Sequence, residues 1–201
     1  MQFTTLTLAA ISIVSVVAAP SVVARSDPKV LTNAISEVSS TRSAVDTQAN
    51  IIKNLIQTTV NNGVIPALQA SLSNIASEIT SVTSFVTPLV TDVTLPLVQS
   101  EVDNLPGFVA DVRCIAGDVQ DVANAILAAL SQQTLTLVSA EVLQVLATIN
   151  PFVQPVLQFA NSALVGTSGP STNIVQTTLA TIQSIESQIV GPITVAYTKV
   201  N

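Results

Sequence analysis

The stretch from Ile65 to Val93, IPALQASLSNIASEITSVTSFVTPLVTDV, decides the fold class. Its apolar residues recur every three or four positions: Ile65, Leu68, Leu72, Ile75, Ile79, Val82, Val86, Leu89 and Val93. This spacing places them along one face of an α-helix, whereas a half-buried strand would alternate strictly. The stretch therefore predicts a long amphipathic helix.

The same spacing returns in four further runs, which begin at Leu31, Phe108, Val138 and Leu179. Val, Ile and Thr make up about a third of the 201 residues, a composition that by itself favours strands. We give more weight to periodicity than to composition, because periodicity reports which side chains share a face. The sequence predicts an all-α fold, an elongated bundle of about five amphipathic helices. The first helix, of about 30 residues, would be about 45 Å long.

Turn-forming residues divide these runs. Asp27-Pro28 suits a helix start, with a capping residue and then proline at the first helical position. Asn61-Asn62-Gly63 predicts a helix end with glycine in the left-handed conformation. Leu105-Pro106-Gly107 is expected to separate the second and third runs. Residues 166–170 (GTSGP) form the plainest loop.

Further boundaries follow from polar caps and prolines. Ser171 or Thr172 is expected to cap the last helix, and Asn150 to cap a helix that restarts at Pro151. Kinks or short breaks are expected at the prolines that lie inside or between runs, since proline cannot donate a helical hydrogen bond. These prolines are Pro88, Pro96, Pro151, Pro155 and Pro192.

The amino-terminal segment is typical of export. Residues 6–17 (LTLAAISIVSVV) are an apolar run followed by Ala18-Ala19-Pro20, which predicts a signal peptide over residues 1–19. The alternative is a buried terminal helix or strand. Residues 20–26 would be a short linker or pro-segment, and residues 27–201 a single domain. The run is too short to cross a bilayer, which takes about 20 residues. We expect a secreted protein with no transmembrane span in the mature chain.

The charged residues exclude several functions. Six Lys or Arg against 12 Asp or Glu give a net charge of −6, with no basic cluster to bind a nucleic-acid backbone. Histidine is absent, which removes the commonest general base and metal ligand. Asp111, Asp118 and Asp121 fall on one helical flank, where we favour a solvated acidic face over a cation site. We expect no catalytic residues, no cofactor and no metal.

Cys114 is the one cysteine in the sequence. Helical geometry places it beside Ile115, near the edge of the apolar stripe and on the side of Asp111 and Asp118. An unpaired cysteine in an exported protein is either buried and inert or forms an intermolecular disulfide. Both interpretations stay open, so a homodimer through Cys114 is one of the expectations.

A ligand site is expected between helices. Few aromatic residues lie in the predicted core, which is rich in Val, Ile and Ala, and a long bundle of this kind can leave an apolar tunnel. Our candidates for its wall are Phe108, Phe152, Val156 and Phe159. The alternative is that these four are ordinary core residues.

The polar faces are made mostly of Ser, Thr, Gln and Asn, and few Glu–Lys pairs occur. Such faces are weakly charged and weakly hydrated, which suits contact with apolar material. The alternative is that this Ser- and Thr-rich composition is common among exported proteins and has no role in binding.

The apolar segment ending in Val16-Val17-Ala18-Ala19-Pro20, the sequence DPKVLTNAI over residues 27–35, and Ser/Thr/Ala/Val-rich helices to the end form one pattern. This pattern resembles the fungal hydrophobic surface-binding protein A and cell-wall galactomannoprotein family. The resemblance covers residues 27–201 in layout and composition. It implies a secreted or wall-associated, non-catalytic all-α protein that adsorbs to apolar surfaces or encloses fatty acids.

From the residues and the resemblance together, we expect a protein that binds fatty-acid-like lipids or adsorbs to hydrophobic surfaces at the cell wall. The alternative is a structural or antigenic wall protein whose helices associate with one another.

Overall fold

A computed structural model describes residues 29–57 and 63–200. The helices, in chain order, are α1 (Lys29–Gln57), α2 (Val64–Val86), α3 (Leu89–Asp92), α4 (Gln99–Ala129), α5 (Gln132–Ala163) and α6 (Pro170–Gln188), then a π-helical turn (Ile189–Ile193) and α7 (Thr194–Thr198). Five of these helices are long, and no strand occurs within the described ranges. The predicted all-α bundle is therefore confirmed.

The long helices pack side by side. α1 lies against α2 and α4, α2 also packs against α5, and α6 packs mainly against α4. α5 additionally contacts α3, α4, α6 and α7, so it is the most widely shared helix of the bundle. α1 and α4 run parallel, because Arg42 of α1 pairs with Asp111 and, further along, Asp46 of α1 faces Asp118.

The core is built from the predicted apolar stripes. Every residue of the run from Phe108 to Leu130 that the spacing singled out is buried. In α1 the stripe is interrupted at Arg42, and the neighbouring Thr41 occupies the buried position instead. Each large apolar side chain buried in this way contributes about 1.5–3 kcal/mol, so the stripes hold the helices together.

The prediction that Leu105-Pro106-Gly107 separates two helices is wrong. α4 begins at Gln99, and Pro106 lies inside it. The apolar stripe runs through this segment, because Val102 and Leu105 are buried on the same helix as Phe108. At the helix start, the backbone N–H of Val98 donates to the Glu101 carboxylate at 2.9 Å, which fixes the first turn upstream of the proline.

The prolines have mixed outcomes. Pro88 lies between α2 and α3, and Pro96 lies in the loop before α4, so breaks occur where these two predict them. Pro192 lies within the π-helical turn, which distorts the chain between α6 and α7 without breaking it.

The restart at Asn150-Pro151 is wrong, because α5 passes without interruption through Pro151 and Pro155. Its cap is Ser131, whose hydroxyl accepts a hydrogen bond from the N–H of Thr134 at 3.4 Å. An interior proline costs about 3 kcal/mol, and the burial of Phe152 and Val156 on either side of Pro155 offsets that cost.

The loop at residues 166–170 is confirmed. Gly166 and Gly169 adopt positive φ of 79° and 138°, which side-chain-bearing residues rarely do. The next helix begins at Pro170, with Gly169 at the cap position, so neither Ser171 nor Thr172 caps it. Thr172 is instead buried, with its hydroxyl 3.3 Å from that of Thr167.

Gly63 precedes α2 with φ of −81°, in the right-handed region, so the predicted left-handed glycine is wrong. Four predictions lie outside the described residues: the signal peptide over residues 1–19, the linker or pro-segment over residues 20–26, the helix start at Asp27-Pro28, and the helix end at Asn61-Asn62.

By length and composition alone, α5 is able to cross a membrane, with a mean hydropathy of 1.4 in its most apolar window. Hydropathy alone therefore does not support the prediction that the mature chain lacks a transmembrane helix. A helix at the centre of a folded bundle passes the same test, and α5 buries an apolar stripe from Leu135 to Ala163 against its neighbours.

Candidate functional site

One end of the bundle gathers exposed apolar side chains. The carboxyl ends of α2 and α5, the amino ends of α4 and α6, and the short helix α3 all meet there. Six large apolar residues at this end are exposed; we call them the apolar end, and they are Phe85, Val90, Leu95, Val98, Val165 and Ile174. Val165 is the most exposed, at 79%.

The opposite end and the flanks carry fewer such residues. Ile51, Val190 and Val195 are exposed near the far ends of α1 and α6, and Leu137 near the start of α5. A scattered exposed apolar residue is normal in a folded protein, but a cluster at one end marks a contact surface.

On the polar helix faces, many Ser and Thr hydroxyl groups donate hydrogen bonds to backbone carbonyl oxygens of their own helix. Thr47 donates to the carbonyl oxygen of Ser43 at 2.8 Å, and Thr83 donates to that of Ile79 at 2.7 Å. Thr177 and Thr181 do the same, each to the residue four positions earlier. A hydroxyl whose proton is held by the backbone has one donor fewer to offer water. The surface is therefore less strongly hydrated than its Ser and Thr content suggests.

The four predicted wall residues all lie in the core. Phe108, Phe152, Val156 and Phe159 are at most 2% exposed. α4 and α5 are consecutive antiparallel helices, so residue 108 lies near the level of residues 152–156. The fold thus brings the four residues to one region, and whether that region admits a ligand stays a prediction.

A second feature is a cleft between α1, α4 and α6, which we call the polar cleft. Its volume is about 660 Å³. Its lining residues are Arg42, Ser43, Asp46, Thr47, Arg113, Cys114, Gly117, Asp118, Asp121, Thr181 and Ile185. Gly117 opens its floor, since no heavy atom lies within 4 Å of the position that a Cβ would occupy.

Charges in the polar cleft are only partly paired. Arg42 Nη1 donates to Asp111 Oδ1 at 2.7 Å, with the Asp111 side chain mostly buried. Asp118 is half-buried and lies near Asp46, Lys53, Asp121 and Arg42. Burial raises the pKa of Asp118, and the negative charges of Asp46 and Asp121 raise it further, against the lowering effect of Lys53 and Arg42.

The acidic flank predicted at Asp111, Asp118 and Asp121 is thus present, but two of its members are more buried than a solvated face requires. Among the residues of the described ranges, no group of three His, Cys, Asp or Glu is placed to hold a metal ion.

Cys114 is half-buried and lines the polar cleft, with its thiol unpaired in this single chain. This is the position at the edge of the apolar stripe that the helical spacing predicts. The structure describes one chain, so a disulfide between two copies stays a prediction.

Comparison with known proteins identifies no family. No protein-family model matches the chain, and no curated protein matches its sequence. A solved structure that is partly similar is that of Afmp4p in complex with palmitic acid, with a TM-score of 0.48 and 12% identity over 81% of this chain and 99% of that chain. A likeness this loose carries no conclusion about the ligand or family of this chain, and the family resemblance stays a prediction.

Sequence reasoning missed both surfaces. The apolar end consists of residues that fall outside the helical stripes, and no local pattern marks them as neighbours. The polar cleft combines residues that are about 70 positions apart, such as Arg42 and Asp111. One local signal was available: Gly117 interrupts an otherwise regular helical run.

Proposed function

We propose that this protein is an exported, non-catalytic helical bundle that binds apolar material, either as a hydrophobic surface at the cell wall or as a fatty-acid-like lipid. The observation that carries the proposal is the apolar end, because six of the exposed large apolar side chains belong to helix ends and loops at this one end of the bundle. Burying such side chains against an apolar phase is favourable by about 25 cal/mol per Å².

The chemistry of the rest of the surface supports the same function. Ser and Thr hydroxyls bonded to their own helices reduce the loss of hydration when a face lies against apolar material. The absence of histidine from the sequence supports a role without catalysis. Asp92 and Asp103 are exposed near the apolar end, so a neutral apolar phase is a better partner than an anionic membrane.

Adsorption tests the proposal directly. The protein is mixed with octyl-coated beads and with neutral oil droplets, and the amount left in solution is measured. A triple variant at the apolar end, Val90→Thr, Val165→Thr and Ile174→Thr, should adsorb several-fold less. Val→Thr is nearly isosteric, so these exposed changes should leave folding intact.

The end of the bundle opposite the apolar end, which we call the far end, offers a matched control. The triple variant Ile51→Thr, Val190→Thr and Val195→Thr also removes one isoleucine and two valines, all exposed. It should adsorb like the unchanged protein. Equal loss in both triple variants would show that total hydrophobicity matters and the apolar end does not.

Fatty-acid binding between the helices is the second form of the proposal, with Phe108, Phe152, Val156 and Phe159 as the wall. Because these residues are buried, the helices must separate to admit an acyl chain. The protein is incubated with stearic acid, freed of unbound lipid and extracted, and the lipid is quantified. Val156→Phe should reduce the bound amount, whereas Val142→Phe, about 21 Å away along the same helix, should not.

If no fatty acid is bound and apolar beads do not deplete the protein from solution, the proposed function is excluded. Self-association remains the alternative, and sedimentation of the two triple variants separates it from adsorption. If two copies of the protein associate through the apolar end, the apolar-end variant should sediment as a monomer, whereas the far-end variant should stay associated.

A further inference from the structure

We propose that the polar cleft between α1, α4 and α6 binds a small zwitterion, a molecule with an ammonium group at one end and an anionic group at the other. This site is separate from the apolar end and from the predicted wall, and it does not depend on the proposed function.

Among the residues that line the polar cleft, positive and negative charges are segregated along two parallel helices. On α1, Arg42 comes one turn before Asp46, and on α4, Arg113 comes before Asp118. Because α1 and α4 run in the same direction, both guanidinium groups lie toward one end of the cleft and the carboxylates toward the other. Arg113 and Asp118 are five positions apart on α4, which is about 7.5 Å along the helix axis.

Some of these charged groups already have partners within the protein, and others do not. Asp111 holds Arg42, so this pair is nearly neutral. Within the described ranges, Arg113 has no ion pair and Asp118 accepts no hydrogen bond from the protein. One guanidinium at the basic end and one half-buried carboxylate at the acidic end are therefore available to a ligand.

The shape of the polar cleft fits a ligand of this kind. It is open, its volume is about 660 Å³, and Gly117 leaves space between the two charged ends. Ile185 supplies an apolar side for the carbon chain that joins the charges. A single metal ion fits less well, because the cleft's carboxylates do not converge within the described part of the chain.

A zwitterion is favoured over a simple cation or anion by the same arrangement. An ammonium group at Asp118 also lies near Asp46 and Asp121. These three carboxylates outnumber the one ammonium group nearby, that of Lys53. An anionic group at Arg113 can accept two parallel N–H donors from the guanidinium group. A ligand with one charge satisfies one end and leaves the other exposed to water. We expect the zwitterion to bind at least about tenfold more tightly than either charged half.

Calorimetric titration of the full chain with glycerophosphoethanolamine tests this inference. Ethanolamine and the phosphodiester dimethyl phosphate, which carry the single positive and the single negative charge separately, are titrated in parallel. Because the same headgroup occurs in lipids, flotation with phosphatidylethanolamine vesicles forms a further arm. Binding of the free molecule assigns a soluble ligand, and binding of vesicles alone, if lost in Asp118→Asn, assigns a lipid headgroup.

Three variants locate the site. Asp118→Asn and Arg113→Gln should each weaken binding about tenfold, because each removes one charged partner. Gly117→Leu should abolish binding by filling the cleft. Gly107→Leu is its matched control on the same helix, since Gly107 also has open space around it and lies outside the cleft.

The inference is overturned if neither the free zwitterion, up to about 10 mM, nor the phosphatidylethanolamine vesicles bind. It is also overturned if ethanolamine binds as tightly as the zwitterion, or if Gly107→Leu and Gly117→Leu act alike. The apolar-end triple variant should bind the zwitterion normally. Failure of adsorption with intact zwitterion binding thus contradicts only the proposed function, and the reverse result contradicts only this inference.

Discussion

The phenolic O–H of Tyr197 donates a hydrogen bond of 2.7 Å to the backbone carbonyl oxygen of Ala123. Tyr197 is completely buried, and it lies 74 positions from its partner in the sequence. The bond joins α7 to α4, six residues before the carboxyl end of α4. The carboxyl-terminal segment is therefore part of the core and is held by a specific polar contact.

Replacing Tyr197 by phenylalanine should lower the free energy of unfolding by about 1 kcal/mol, because the ring stays buried while one hydrogen bond is lost. Urea unfolding measures the change. Tyr197→Leu, which also removes ring packing, should cost more. Equal costs would mean that the hydrogen bond contributes nothing.

Alkaline pH should weaken the protein through the same residue. Burial raises the pKa of Tyr197, so the folded state favours the neutral phenol. Its contribution is complete below the ordinary tyrosine pKa of about 10 and is lost as the pH rises above it. Unfolding at pH 8 and pH 11 should show a larger loss for the unchanged protein than for Tyr197→Phe. Parallel losses would contradict this assignment.

Asp118→Asn should stabilise the protein at pH 7, by up to about 0.5 kcal/mol. The pKa of Asp118 is raised, so its stabilising contribution is present below the unfolded value of 3.8 and is lost as the pH rises through the folded value. The advantage of the asparagine should therefore vanish near pH 3. Thermal unfolding at both pH values measures it, with the more exposed Asp121→Asn as the control.

Pro151→Ala should raise the free energy of unfolding by about 1–3 kcal/mol, because Pro151 is exposed inside α5 and alanine restores a helical N–H. Pro170→Ala is the matched control, since Pro170 stands at the start of α6, where proline is well tolerated. It should have little effect or be slightly destabilising. Equal stabilisation by both would show that helix position does not matter here.

Phe152→Ala should lower the free energy of unfolding by about 3–5 kcal/mol, as expected when a fully buried aromatic ring is replaced by a methyl group. Phe85→Ala should lower the free energy of unfolding clearly less, because Phe85 is already partly exposed at the apolar end. Chemical denaturation of the two variants makes the comparison. A small cost at Phe152 would indicate a loosely packed region and would favour a ligand tunnel there.

Several boundaries were predictable because they depend on neighbouring residues. The loop at Gly166–Pro170 follows from glycine and proline chemistry, and the apolar stripe of α4 follows from helical spacing. The helix breaks expected at Pro106 and Pro151 do not occur, because burial on both sides of each proline outweighs the local preference. No local rule reports that burial.

The candidate sites were less predictable than the fold. The four wall residues could be assigned to the core from their spacing, but the apolar end and the polar cleft could not be found. Val165 and Ile174 belong to the apolar end only because α5 ends, and α6 begins, beside the start of α4. Arg42 and Asp118 share a cleft only because α1 and α4 run parallel.

By itself, the sequence determined the helical class, the faces that are buried and the absence of histidine chemistry, since periodicity and composition are properties of the chain. The tertiary structure alone decided which exposed residues gather at one end and how positive and negative charges are ordered along the cleft. The physical reason is that these arrangements depend on the direction and alignment of packed helices, which are set by contacts between residues far apart in the chain.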